Sequence, residues 1–217
     1  MRQCFSIGLF ALLVLSLPGC GGFRDTKPQL PGNLDTLCMP DYASGFEMYC
    51  YDSSTLLRIV NPWQGADSVS QWVFLSRDDE KPPKGFAGET IDVPVRRIVC
   101  MSSSYVAFLE ALGADSTICA ISGTGYIWSD KVRNRIAGGE IAEAGFDNSL
   151  NFEKLVALKP DVVFLYGLTG KNAVTDKLHE LGLKTVYIGD YVENNPLGRA
   201  EWITVFGEFT GRRELAR

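Results

Sequence analysis

Apolar positions follow three successive patterns along this chain, and each predicts a different kind of structure. Residues 5–17 are apolar apart from Ser6, Gly8 and Ser16, behind the single positive side chain of Arg2. Such a run is the core of a signal peptide and falls short of the roughly 20 helical residues that span a bilayer. Residues 21–40 lack periodicity and are rich in Gly, Pro, Asp and Asn, which predicts a flexible tether. Short β-like runs follow at residues 46–51, 56–60 and 71–75, separated by Asp-Ser-Ser and Asn-Pro-Trp-Gln-Gly turns. They predict a small β extension over residues 41–88, and the charged, Pro- and Gly-rich residues 78–88 mark a boundary.

From Val93 onward, strand and helix alternate. Strands are predicted over residues 97–101, 117–121, 161–165 and 184–188. A helix over residues 105–112 is closed by Gly113, and Val174, Leu178 and Leu181 recur at i, i+4 and i+7 before Gly182. Repeated strand-helix-strand units imply a parallel sheet with right-handed crossovers. The fold class expected is therefore α/β, a Rossmann-like lobe over residues 89–197. Residues 198–217 read as one helix, cut off by the end of the chain, whose stripe of Trp202, Val205, Phe206 and Phe209 needs something to pack against.

Charge and cysteine content narrow the function classes. A formal net charge of -5 with no Lys/Arg cluster argues against a nucleic-acid partner. The leader ends Leu17-Pro18-Gly19-Cys20, which resembles a bacterial lipobox, although Pro18 is untypical of one. Residues 1–20 are then a lipoprotein signal peptide, Cys20 is lipidated, and the protein sits lipid-anchored to a membrane on the periplasmic side of the cell envelope. Four of the six cysteines lie beyond the leader, with no CxxC spacing. Cys100 and Cys119 fall in apolar, strand-like runs and read as core, and Cys38 with Cys50 is the pair an oxidising compartment would join.

Several motifs resemble a known family. They are Pro94-x-x-Arg97-Ile98-Val99, the stretch Phe108-Leu109-Glu110-Ala111-Leu112-Gly113, the stretch from Asn151-Phe152-Glu153 through Lys159-Pro160-Asp161-Val162-Val163, and Leu178-x-x-Leu181-Gly182. Together they resemble the substrate-binding proteins of ABC importers for ferric siderophores, haem and cobalamin. The extension with Asn61-Pro62-Trp63 is similar to lipoprotein forms of this family found in Bacteroides-like bacteria. The resemblance implies two α/β lobes joined by a long rigid helix, with ligand held between them, delivered to a permease and driven by a separate ATPase. It also implies that the chain stops after the N-terminal lobe, with residues 198–217 the start of the interlobe helix. Glu153 matches the glutamate that pairs with permease arginines on docking. A glutamate favoured by the dipole at a helix N-terminus explains the same residue.

In an open parallel sheet, ligands sit outside the carboxyl ends of the strands. Those ends carry Ser102, Ser103 and Tyr105 after the first strand, Tyr126 and Trp128 after the second, Tyr166 after the third, and Asp190 and Tyr191 after the fourth. The aromatic set suits a bulky planar ligand such as a corrin, haem or catecholate complex, although each ring alone could equally be packing. No catalytic residue is expected. Ser102 lacks the Gly-x-Ser-x-Gly setting, the only histidine, His179, lies on a crossover helix, and Gly123-Thr124-Gly125 completes no phosphate loop. A single histidine supports no resident metal, and no cofactor is expected. Two other readings stay open: a small α/β hydrolase or nucleotide-dependent transferase, and an isolated lobe acting as an interaction module.

Overall fold

A computed structural model of the chain describes residues 36–146, 149–167 and 173–217, with side chains from residue 39 onward. The leader, including Cys20, and the Cys38 side chain lie outside the described residues.

Two five-stranded sheets share one core. The first contains β1 (Thr36–Cys38), β2 (Phe46–Tyr51), β3 (Ser54–Val60), β4 (Ser70–Ser76) and β5 (Glu89–Asp92) in that order. Its pairings are antiparallel except for β4 with β5. Asp52, with φ +47°, turns the tight hairpin between β2 and β3, a conformation that Asp tolerates better than most residues. All seven residues of β4 are buried. One of its faces, with Val73 and Leu75, joins the main core, and the other, with Trp72 and Phe74, packs with Leu56 beneath Tyr49, Tyr51 and Phe86. Strand β5 escapes a sequence reading because it offers a single large apolar residue, Ile91. Its path requires glycine at 88, where a Cβ would lie 2.2 Å from the Trp72 carbonyl oxygen. The first sheet thus runs past the charged stretch where a boundary is expected.

The second sheet is parallel throughout, as the α/β expectation requires. It is built from β6 (Ile98–Cys100), α1 (Ser103–Ala111), β7 (Ile118–Ile121), α2 (Asp130–Ala137), β8 (Ala142–Glu143), α3 (Phe152–Leu158), β9 (Val162–Leu165), α4 (Ala173–Glu180) and β10 (Thr185–Tyr187). The strand order is β10-β9-β6-β7-β8. Strands β6, β7, β9 and β10 are buried at every position, which is why they read as short apolar runs without alternation.

The end of the chain differs from its expected form. Residues 198–217 are not one helix: α5 (Pro196–Glu201) and α6 (Ile203–Thr210) are separated at Trp202, and Gly211, with φ +70°, ends the second. The Asn195 side chain caps α5 and Pro196 sets its first turn. The Arg212 amide donates to the Gly207 carbonyl at 2.8 Å, so the tail folds back, and a Cβ on Gly207 would come within 2.5 Å of the Ala216 Cβ. Nor does the apolar stripe await a partner. Trp202, Val205, Phe206 and Phe209 are each 0% exposed. Trp202 meets Phe46 at 5.0 Å between ring centroids, Phe206 meets Phe108 and Phe164 at 5.0 Å each, and Phe209 stands perpendicular to Phe164.

Carboxylates bind the extension to this keystone. Glu193 accepts from the Ser44 and Gly45 amides and from Trp202 Nε1, and Glu201 accepts from the amides of Asp41, Tyr42 and Ala43. Buried Glu208 accepts from Thr55 Oγ1 at 2.8 Å and forms ion pairs at 2.7 Å with both Arg77 and Arg213. Burial, opposed by Glu208, pulls the Arg77 guanidinium below its ordinary range.

Candidate ligand-binding rim

The carboxyl ends of β9, β6 and β7 lie side by side, so the loops that follow them form one rim with β10 and β8 at its flanks. Ser102 caps α1 at the centre: its hydroxyl accepts from the Ser104 amide and lies 3.0 Å from Ser104 Oγ. This is the capping role typical of serine before a helix. Ser103 is exposed beside it.

On one flank, Tyr166 and Tyr191 come together with ring centroids 4.4 Å apart and planes tilted by 48°. The Tyr191 hydroxyl donates to the Gly167 carbonyl and accepts from the Gln64 amide at 3.3 Å. Burial pushes the Tyr191 phenol up. Behind this pair lies Asp190, only 6% exposed, whose Oδ1 has no hydrogen-bond partner. Burial raises its carboxyl above the usual range, against the opposing hydrogen bond from Ser104.

Tyr105 does not belong to the rim. It is 0% exposed, and its hydroxyl lies 3.2 Å from both the Leu165 and Ile188 carbonyls, fastening the ends of β9 and β10 from beneath. Tyr105 shares the helical face of Leu109 and Leu112, so its i, i+4, i+7 spacing marked it as core.

Tyr126 and Trp128, 69% and 91% exposed, stand on the opposite flank, after β7. Their companion is Phe146, 55% exposed on the loop after β8, which sequence reasoning missed because β8 is only two residues long. Gly123, with φ +76°, lets this corner close: a Cβ there would meet Tyr126 at 2.9 Å and Phe146 at 3.3 Å. Glu143 holds the corner by accepting from the amides of Gly123, Thr124 and Gly145 and from Thr124 Oγ1. Burial raises its carboxyl, but these hydrogen bonds outweigh that and leave it below the ordinary range.

The remaining candidates lie apart. Glu153 is exposed in the first turn of α3, behind the Asn151 cap. His179 lies on α4 with Nε2 2.6 Å from Thr185 Oγ1. Cys50 carries a free thiol, the Cys38 side chain expected to pair with it lies outside the described residues, and burial pushes the Cys100 and Cys119 thiols up. Among the described residues, no three His, Cys, Asp or Glu side chains converge to hold a metal, and no helix is long and apolar enough to cross a membrane.

Sequence reasoning also missed the contribution of the extension. Its 61–65 turn reaches the rim, with Trp63 packed on Tyr187 at 5.1 Å between ring centroids and Gln64 bonded to Tyr191. The Asn61-Pro62-Trp63 string was the available signal, but its partner lay far along the chain.

Known proteins bear on this arrangement. An uncharacterized lipoprotein of Methanocaldococcus jannaschii, MJ0878, is 27% identical over an alignment covering 100% of this chain and 59% of that protein. A second, MJ0872 of the same organism, is 30% identical, with 86% of this chain and 46% of that protein covered. The chain thus spans little more than half of the first relative and less than half of the second. Among solved structures, the periplasmic haem-binding protein HutB of Vibrio cholerae is similar at 22% identity and TM-score 0.45, covering 55% of this chain and 43% of that one. The molybdate periplasmic binding protein MolA of Haemophilus influenzae is similar at 20% identity and TM-score 0.45, covering 58% and 44%. Residues 98–216, the parallel sheet with its rim and the C-terminal helices, match the family described as periplasmic binding protein, and the chain belongs to that family.

Proposed function

We propose that this protein is the substrate-binding lipoprotein of an ABC importer, capturing an iron complex (siderophore or haem) or cobalamin and delivering it to the permease. The observation that carries this reading is the Tyr166–Tyr191 pair at the carboxyl ends of β9 and β10, beside the unpartnered Oδ1 of Asp190. Tilted ring faces with polar tips suit a conjugated, roughly planar ligand, and the Asp190 carboxyl backs the pair from its buried position behind them. Ser102 and Ser103 contribute hydroxyls at the centre, and Tyr126 and Trp128 a second aromatic face. Tyr105 supports the rim from below without touching ligand.

In this reading the leader ends at lipidated Cys20, residues 21–40 tether the body to a membrane on the periplasmic side of the envelope, and a second lobe closes over the rim. The lipoprotein names of the two relatives support the anchor. Glu153 is the docking carboxylate, an exposed charge away from the ligand rim that sets orientation and encounter rate with the permease more than affinity.

The test is titration of the full-length gene product with haemin, cyanocobalamin and a ferric tris-catechol complex, followed by tryptophan fluorescence, since Trp128 is 91% exposed. At least one ligand should quench saturably, and the Tyr166→Ala/Tyr191→Ala variant should weaken its binding at least about tenfold. Absence of saturable quenching with all three, or unchanged affinity in the double variant, overturns the reading.

A further inference from the structure

The seam between the extension and the parallel sheet contains a partly open cavity of about 140 Å³, set along the flank of β10 and α4 and adjoining the rim at Trp63. Pro62, Trp63 and Val69 line it from the extension, and Thr175, His179 and Tyr187 from the lobe.

Its walls are rigid for identifiable reasons. Trp63 is held edge to face against Tyr187, and its ring closes on Gly167, where a Cβ would lie 3.2 Å away. The Gln71 amide, also at the cavity wall, is occupied with the backbone of β10, bonding the Thr185 carbonyl at 2.8 Å and the Tyr187 amide at 2.9 Å. The backbone beside the cavity therefore presents no unmet donor or acceptor at that point, and the lining is almost wholly apolar. Ser70 and Gln71 line it from the extension, and on the lobe wall Thr175 Oγ1 and the Tyr187 hydroxyl lie 3.0 Å apart while the His179 imidazole bonds Thr185 Oγ1 at 2.6 Å.

A volume of about 140 Å³ is enough to hold a benzene-sized molecule. We propose that this seam cavity is a second binding site, distinct from the rim, for a small compound with a single aromatic ring and one polar substituent, of which phenol is the simplest. The ring lies against Pro62, Trp63 and Val69, and the substituent exchanges a hydrogen bond with the Thr175–Tyr187 hydroxyl pair. Both halves of the molecule supply walls, so occupancy ties the extension to the lobe. The site does not depend on what the rim binds.

Phenol and cyclohexanol, titrated separately into the full chain, test the proposal through the amide NMR shifts of Trp63, Thr175 and Tyr187 and through the melting temperature. Phenol should bind saturably and raise the melting temperature, with cyclohexanol at least about tenfold weaker because it lacks a flat ring to face the indole. Val69→Phe, which fills the cavity, should weaken phenol at least about tenfold, and the near-isosteric Thr175→Val should weaken it with the fold intact. If Val69→Phe does not fold, the Thr175→Val and cyclohexanol comparisons decide. The proposal is overturned if phenol gives no saturable shift at these residues, or if it binds Thr175→Val as tightly as the parent chain and cyclohexanol binds equally well.

Discussion

Replacing Gln71 tests how the two sheets are joined. Strand β10 is an edge strand, and an unpaired strand edge buried away from water is costly. Gln71, on β4 of the other sheet and 6% exposed, supplies the missing neighbour with its side chain. Its Nε2 donates to the Thr185 carbonyl at 2.8 Å and its Oε1 accepts from the Tyr187 amide at 2.9 Å, the two bonds another strand would make. Gln71→Leu keeps most of the volume and leaves both backbone groups without partners. Each orphaned group costs about 1–3 kcal/mol, and relief from burying the amide returns part of that, so a net loss of about 2–4 kcal/mol is expected. For a chain of this size, that lowers the melting temperature by roughly 4–16 °C. Urea denaturation followed by circular dichroism measures the loss, and hydrogen exchange at the Tyr187 amide locates it. Gln71→Glu sharpens the test, because an ionised carboxylate still accepts from Tyr187 but turns a second acceptor on the Thr185 carbonyl. Its carboxyl should titrate higher in the folded than in the unfolded chain. The variant is then closest to wild type below the unfolded value near 4.3 and loses stability as pH rises through the folded one. A Gln71→Leu protein within about 0.5 kcal/mol of wild type, with unchanged exchange at Tyr187, would refute the reasoning.

Three further outcomes follow from the packing. Phe206→Ala removes the ring that touches Tyr105, Phe108 and Phe164 and should cost about 3–5 kcal/mol in denaturant titration. Glu208→Ala leaves Arg77 and Arg213 facing each other without their shared anion and should cost about 3–5 kcal/mol, more than Arg213→Ala, whose loss leaves one ion pair in place. Glu143 titrates below the ordinary carboxylate range, so the stability it contributes is present above the unfolded value near 4.3 and fades as pH falls through the lower folded one. Glu143→Gln should therefore flatten the acid limb of a melting-temperature against pH profile, and an unchanged limb would count against its role in holding the 123–124 corner.

What could be read from the residues depended on the range of the interactions involved. Strands β2, β6 and β9 were visible because their apolar runs and turn residues are local, and α1 because Gly113, with φ +62°, marks its stop. Helix α2 was not, since a single buried residue, Val132, leaves its pattern almost wholly polar. The rim was half legible. Strand ends located Tyr166, Asp190 and Tyr191, but treating every aromatic after a strand as ligand-facing put Tyr105 on the wrong side of the backbone. The joins were not legible at all: Gln71 and Thr185 lie 114 positions apart, and neither segment has a local pattern that names the other.

Those long-range joins change how the extension is understood. Sequence periodicity separates it from the lobe, yet its residues complete structures the lobe cannot finish alone. Gln71 closes the edge of β10, the amides of the 41–45 segment donate to Glu193 in the loop before α5 and to Glu201 on α5, and Thr55 shares the buried carboxylate of Glu208. The Gln64 amide then donates to the Tyr191 hydroxyl, which is bonded in turn to Gly167. The tilt of the Tyr166–Tyr191 pair is therefore set partly by a turn more than 100 positions earlier in the chain. A change confined to residues 61–65 should alter recognition at the rim without touching ligand, because the geometry of a preorganised face determines how much of its contact energy survives as affinity.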